Sequence, residues 1–234
     1  MLHFTTALYT GFDMIKKERR KEAIAVYDSI SGILRVSGKE EIHPPDLADA
    51  IDHGILVRRI ADLLCKQMEL SSQDCITISE AACLHDIGKL KMGQHLYGRN
   101  KDALHIEELR YMRMHAQIGY EMLKQCGYPE TILETVYHHH ENYDGSGYPG
   151  NLQGKMIPFC ARVLKVCDVF AALISERPYR SAFDMETAME MMIENIKDYD
   201  LGVFLEFMKI YHSPEFAEIE EYARIMNRQK RYFY

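Results

Sequence analysis

Between residues 46 and 70 the apolar side chains Leu47, Ile51, Ile55, Ile60, Leu63 and Leu64 recur at spacings near three and four. Those spacings line one face of an α-helix. The same period returns along the chain, and no segment alternates with period two for long enough to require a sheet. An all-α fold is therefore predicted. His43-Pro44-Pro45-Asp46 supplies the start of this first clear helix, with prolines before the first turn and an Asp to cap it. Further helices are predicted over Ser79–Leu90, Ile106–Cys126, Pro129–His140, Pro158–Ser175, Asp184–Ile196 and Val203–Ile210, with a charged tail helix after His212-Ser213-Pro214. Gly127-Tyr128-Pro129 stops the helix over Ile106–Cys126, and the glycine-rich stretch Asn142–Gly154 reads as a loop of tight turns.

Composition excludes several classes. Hydrophobic residues make up 47% and charged residues 27% of 234, enough for a sizeable core and too apolar for intrinsic disorder. The formal charge of −7 opposes a role in coating a nucleic-acid polymer. No apolar stretch is long enough to span a membrane, and the start Met1-Leu2-His3-Phe4 does not resemble a signal peptide. The six cysteines form no CxxC pair and several sit in apolar helical patterns, so a reducing cytoplasm is expected. The charge run Lys16–Glu22 reads as a solvated helix face, with contact to a polyanion or partner as the sharper alternative.

Eleven histidines stand out against average usage, and most fall with carboxylates into spacings that metal sites use. His85 and Asp86 are adjacent, which offers one nitrogen and two oxygens from a single turn; the Asp can bridge two cations. Lys89 follows at three and four residues, on the same helix face. Asp49 precedes His53 by one turn, a second pair able to share a metal. His115, His138-His139-His140 and Asp168 complete the set. Alone, His115 reads as a hydrogen-bonded core residue and the triple His as surface. Asp168 amid Val166, Cys167, Val169 and Phe170 is harder to place without a cation, because a buried carboxylate costs several kcal/mol unless paired.

His85-Asp86 with the spaced His53, His115 and Asp168 resembles the HD superfamily of metal-dependent phosphohydrolases. The loop from His139 to Pro149 matches HHExxDGxGYP at every fixed position and narrows the resemblance to the HD-GYP family. Arg177-Pro178-Tyr179-Arg180 is similar to that family's downstream motif. The similarity covers roughly residues 46 to 210. It implies an HD-type helical bundle with a di- or trinuclear metal site in its core. His53, His85, Asp86, His115, His139, His140 and Asp168 would then be metal ligands, with Asp86 bridging and Asp49 the ligand of a third ion. Lys89 would contact the scissile phosphate or the nucleophile, Tyr148 would lie in the substrate pocket, and Arg177 and Arg180 would grip the phosphates. Two departures touch substrate preference and catalytic vigour: Ala171 replaces a second aspartate, and Leu90–Asn100 lacks the usual proline and aspartate.

The mixed imidazole and carboxylate set suits two or three divalent ions, iron or manganese ahead of zinc. A hydroxide bridging two ions would attack phosphorus in line, with Asp86 and Lys89 as the catalytic side chains. The implied activity is opening of cyclic di-GMP to linear pGpG, with GMP as a candidate further product. The alternatives are another cyclic dinucleotide or nucleotide phosphate as substrate, or a catalytically weak nucleotide-binding signalling domain. The expected organisation is a helical extension over 1–45, the catalytic domain over 46–212 and a helical tail over 213–234. A homodimer or a signalling protein is the candidate partner besides the cyclic dinucleotide.

Overall fold

A computed structural model describes residues 17–38, 44–92, 111–177 and 180–230. In chain order these form α1 (Lys17–Val36), α2 (Pro44–Gln67), α3 (Ser72–Leu84), α4 (Ile87–Met92) and α5 (His115–Gln125). There follow α6 (Glu130–His138), α7 (Phe159–Leu173), α8 (Met185–Glu194), α9 (Leu201–Tyr211) and α10 (Ala217–Lys230). Among the described residues the extended pairing is confined to an isolated bridge between Arg177 and Arg180. The all-α prediction holds. None of the helices is long and apolar enough to cross a membrane.

Two helices organise the interior. Ile55, Leu56, Val57, Ile60, Ala61 and Leu64 of α2 are buried, as are Val163, Leu164, Val166, Cys167, Phe170 and Ala171 of α7. A helix apolar nearly all round belongs in the middle of a bundle. Accordingly α2 packs on α1, α3, α7, α9 and α10, and α7 on α3, α6, α8 and α9. Fully burying each large aliphatic side chain contributes about 1.5–3 kcal/mol. That gain carries two polar residues inside with them, His53 on α2 and Asp168 on α7. Ala171, where the resemblance leads one to expect an aspartate, lies fully within this core.

The terminal helices share the same core. Ala23, Val26, Ile30, Ile33 and Leu34 give α1 a buried stripe at helical spacing, and α1 packs on α2 and α5. Ile219, Tyr222, Ala223 and Met226 do the same for α10 on α2. The charge run opens α1, where Lys21 is exposed and Glu22 meets Arg59 at 2.6 Å.

Several boundaries differ from the periodic reading. The second predicted helix starts at Ser72, not Ser79: Ser71 is the cap, its Oγ accepting the Asp74 N–H at 3.1 Å. That helix also stops at Leu84 and restarts at Ile87. The third begins at His115 after a turn at Met114, residues 111–113 being helical before it and 106–110 lying outside the described residues. The altered segment after Met92, Pro178 with Tyr179, and residues 1–16 and 231–234 also lie outside them.

Candidate metal centre

Six elements converge on one point. His53 comes from the middle of α2 and Asp168 from α7; His85 caps the C-terminus of α3 and Asp86 occupies the turn before α4. His115 opens α5, while His139 and His140 follow the last residue of α6. The break at His85-Asp86 replaces the single helical turn expected there, yet the backbone stays locally hydrogen-bonded: the His85 N–H donates to Ala81 O at 2.8 Å and the Lys89 N–H to Asp86 O at 2.9 Å. Gly88 lets α4 close on α5, since a Cβ there would stand 2.1 Å from the His115 carbonyl oxygen.

Three imidazoles are oriented by one device. Nδ1 of His85 bonds the Ala82 carbonyl at 2.9 Å, Nδ1 of His115 that of Met112 at 2.5 Å, and Nδ1 of His139 that of Val136 at 2.6 Å. Each donor is used on the carbonyl three residues back, which leaves each Nε2 as a bare lone pair aimed inward. Nε2 of His85 lies 3.5 Å from Asp86 Oδ2 and 3.4 Å from Asp168 Oδ1. Nε2 of His53 is 3.0 Å from that same Asp168 oxygen. Asp86 Oδ1, on the other side, is 3.3 Å from His115 Nε2 and 4.0 Å from His139 Nε2. His140 Nε2 stands 3.0 Å from His115 Nε2.

These donors fall into three overlapping groups, each with its ligand atoms within 4.8 Å of one another: Asp86 with His115, His139 and His140; His53 with His85 and Asp86; His85 with His139 and Asp168. The seven residues that the resemblance marks as core ligands are thus brought together, with Asp86 common to two groups. His85 Nε2 and Asp86 Oδ1 are buried without a hydrogen-bond partner. Leaving such groups unmatched costs roughly 1–3 kcal/mol each, and a cation among them removes the cost. Nitrogen and oxygen donors in this mixture fit a divalent metal centre.

The protonation states agree. Burial pushes His53 and His115 down to about 4 and holds His139 and His140 well below the usual imidazole range. Burial also opposes the charged forms of Asp86 and Asp168, but Lys89, His85 and His115 around the first, and His85 and His53 around the second, outweigh it and hold both carboxyls well below 3.8. His85 is raised, because the two carboxylates overcome its burial. Neutral imidazoles beside ionised carboxylates are the forms that bind metal, which four of the five histidines favour, while His85 would give up its proton to the cation.

Around this cluster, Lys89 Nζ reaches Asp86 Oδ2 at 2.6 Å. Tyr148 stacks on His140 with ring centroids 4.7 Å apart, and the Arg113 guanidinium lies 5.0 Å from the Tyr148 ring centroid. Tyr148 is held by its loop. Glu141, 2% exposed, accepts the Gly150 N–H at 2.6 Å and the Leu152 N–H at 3.1 Å, while His138 Nδ1 lies 3.3 Å from its Oε1. Gly147 permits the return of the loop, since a Cβ there would meet Asn142 N at 2.1 Å. Sequence reasoning gives no role to Glu141, His138 or Arg113; the fixed Glu in the HHE motif was the available signal for the clamp.

Three expected residues are placed differently from one another. Arg177 is half-buried and close enough for its charge to disfavour protonation of His53. Arg180 turns away from the expected phosphate grip: its guanidinium donates to the carbonyls of Ala172, Leu173 and Ser181 at 2.8–3.1 Å and lies over the Phe183 ring. Its charge complements the exposed carbonyls at the end of α7. Asp49 belongs to none of the three donor groups, and its Oδ1 meets Lys230 Nζ at 2.9 Å.

Fold and site together define an all-helical protein with a histidine–carboxylate cluster able to hold metal at the junction of its two innermost helices. Residues 18–203 match the HD domain family, and the chain belongs to that family, in its HD-GYP branch. The match begins inside α1, well before residue 46. Across 132 residues the chain is 39% identical to the cyclic di-GMP phosphodiesterase response regulator RpfG of Xanthomonas campestris pv. campestris, covering 56% of this chain and 35% of that one. It is 34% identical over 144 residues to the 3'3'-cGAMP-specific phosphodiesterase 3 of Vibrio cholerae, covering 62% and 31%. The chain spans about a third of the length of these curated relatives. Among solved structures, Bd1817, an HDG"Y"P protein from Bdellovibrio bacteriovorus, superposes with a TM-score of 0.58 at 18% identity, over 82% of this chain and 62% of that one. This last likeness concerns the fold.

Proposed function

We propose that the chain is a metal-dependent phosphodiesterase that opens cyclic di-GMP to linear pGpG. The observation that carries the reading is the convergence of His53, His85, His115, His139 and His140 on Asp86 and Asp168, with Lys89 at the edge. The resemblance of the chain to phosphodiesterases of cyclic dinucleotides supports the substrate class.

The seven residues are assigned as ligands of two divalent ions, iron or manganese, with Asp86 shared between them. Bound there, the ions supply Lewis acidity to phosphoryl oxygens and lower the pKa of water to near neutral. Asp49 is engaged by Lys230 and is not needed for a two-ion site. Lys89 places a positive charge where a non-bridging phosphate oxygen gains negative charge. Tyr148, stacked on His140, offers a flat wall for the nucleotide, and Arg177 an anion-binding fork. Arg180 holds the end of α7 under Arg177. In the net reaction one P–O3′ ester bond breaks, water provides the new P–O bond, and its proton ends on the released 3′-hydroxyl. We further assign the protein to the cytoplasm, in keeping with six free cysteines, acting alone, as a homodimer or with a signalling protein.

The test is incubation of metal-loaded protein with cyclic di-GMP, 3'3'-cGAMP and pGpG. Linear pGpG from the first is expected. Absence of any linear product with iron, manganese or another divalent ion overturns the reading, and preferred cleavage of cGAMP replaces its substrate.

A further inference from the structure

The C-terminal helix reaches the site from behind. Asn227, on α10, uses its one amide twice: Nδ2 donates to Ile174 O at 2.8 Å and Oδ1 accepts the Glu176 N–H at 2.8 Å. Ile174 is the C-cap of α7, the helix that carries Asp168, and Glu176 immediately precedes Arg177. The turn between them is braced further by Glu176 Oε2, which accepts the Ala182 N–H at 2.8 Å. Arg177 and Arg180 are joined by paired backbone bonds of 2.9 and 3.1 Å. Three residues further along α10, Lys230 is 4% exposed and its Nζ meets Asp49, one turn before His53 on α2. α10 therefore grips both the strand-like exit of α7 and the His53 helix.

We infer that Asn227 is a positioning residue, through which the C-terminal helix holds Arg177 at the metal centre in the orientation that binds a substrate phosphate. The inference rests on the proposed phosphodiesterase reading for what Arg177 binds, and on the structure for how it is held. A side-chain amide is suited to the task. It supplies a donor and an acceptor in one rigid plane, so it ties a helix C-terminal carbonyl to the next free N–H and fixes the chain's exit angle. A carboxylate in the same place would keep the acceptor and lose the donor. It follows that removing the Asn227 amide loosens Arg177 while leaving the seven clustered ligands in place, since its bonds go to Ile174 O and the Glu176 N–H and to none of the seven.

The experiment uses the full chain, metal-loaded, as wild type, Asn227→Ala, Asn227→Asp, Arg177→Ala and the double variant Asn227→Ala/Arg177→Ala. Metal content and Tm serve as controls. Amide hydrogen exchange over residues 174–182 is expected to rise at least tenfold in Asn227→Ala, with Asn227→Asp between it and wild type. KM for cyclic di-GMP is expected to rise about 3- to 10-fold, the size of one or two lost hydrogen bonds, with kcat unchanged within twofold. In the Arg177→Ala background, Asn227→Ala should add nothing to KM. Unchanged exchange over 174–182, or a full KM effect in the absence of Arg177, overturns the inference. Should Asn227→Ala fail to fold, Asn227→Asp carries the same comparison. Should the wild type not hydrolyse cyclic dinucleotides, the functional reading fails alone, and the exchange measurement still decides whether Asn227 holds the Arg177 turn.

Discussion

The Nε2 atoms of His115 and His139 face each other at 3.4 Å while the Nδ1 atom of each is bonded to the carbonyl three residues before it. In the neutral rings both Nε2 atoms are lone-pair acceptors, so the pair has no hydrogen to share. A divalent ion held beside Asp86 would resolve the conflict, since both lone pairs could then be donated to it. Removing metal with a chelator is therefore expected to lower Tm, and restoring the ion to recover it, as mass action requires for a ligand bound only by the folded state. Calorimetry with and without chelator measures this; equal Tm values would count against a resident ion.

The metal-free protein should also lose stability as pH falls from about 6.5 to 4. His53 and His115 are held near 4 when folded, below their ordinary 6.5. Across that window the unfolded chain binds protons at these two histidines that the folded one does not, so they make stability rise with pH, opposed in part by Asp52, which burial pushes up to about 7 and whose contribution is lost between 3.8 and 7. Each such proton steepens the slope by roughly 1.4 kcal/mol per pH unit. His85, raised when folded, works the other way: its contribution is present below 6.5 and is lost as pH rises through its folded value. Urea midpoints of chelated protein at pH 5, 6 and 7.5 test the acid limb; a flat profile between 5 and 6.5 contradicts it.

Lys89→Ala removes a charge 2.6 Å from Asp86 Oδ2 without removing a ligand. Metal content should stay at the wild-type level. The rate of hydrolysis should fall about 10²- to 10³-fold through kcat, the usual effect of deleting one group that offsets transition-state charge. Elemental analysis beside steady-state kinetics separates the two. A loss of metal together with the loss of rate would recast Lys89 as a support for Asp86 instead.

Ligand chemistry is legible in a sequence because it resides in residue type: five histidines and two aspartates at these spacings have few other uses, and all seven meet. The inner helices are legible too, since the apolar period of α2 and α7 directly reports burial. What sequence obscures is the destination of long polar side chains. Asp49 lies one turn from His53, which favours a shared ion on local spacing, but its partner Lys230 is on the last helix. Arg180 sits in a motif with Arg177, yet the carbonyls ending α7 draw it back. The start of α3 is obscure for a related reason: Ser79 can cap on local pattern as well as Ser71, and Ser71 has Asp74 three residues on to complete the turn. The break at His85-Asp86 leaves no glycine or proline at the interruption to announce it.

Glu141→Ala should be costly although the residue touches no proposed ligand ion. It would leave the Gly150 and Leu152 N–H groups without the carboxylate that accepts them. Unmatched buried donors cost roughly 1–3 kcal/mol each, and the loop that sets Tyr148 against His140 would loosen. Denaturant unfolding should show the loss, and Glu141→Gln, which keeps one acceptor oxygen, should recover part of it. If both variants match wild type in stability, the clamp is not what holds the loop.

Gly88→Ala tests how far the centre depends on backbone approach. The new Cβ would fall 2.1 Å from His115 O and 2.8 Å from Gly119 N, both backbone atoms that no rotamer change can move. α4 must shift off α5, carrying Asp86 away from His115 Nε2, now 3.3 Å from its Oδ1. Overpacking of this kind costs about 3 kcal/mol, and here the displacement also opens the donor group that Asp86 shares with His115, His139 and His140. Stability should therefore fall even in chelated protein, and metal retention after dialysis should fall with it. The comparison variant is Gly127→Ala, whose Cβ would meet nothing within 4 Å but whose φ of +75° strains an L-residue. It should lose stability in both metal states and retain its metal, so that loss of metal in Gly88→Ala alone identifies the α4–α5 approach as what sets the centre.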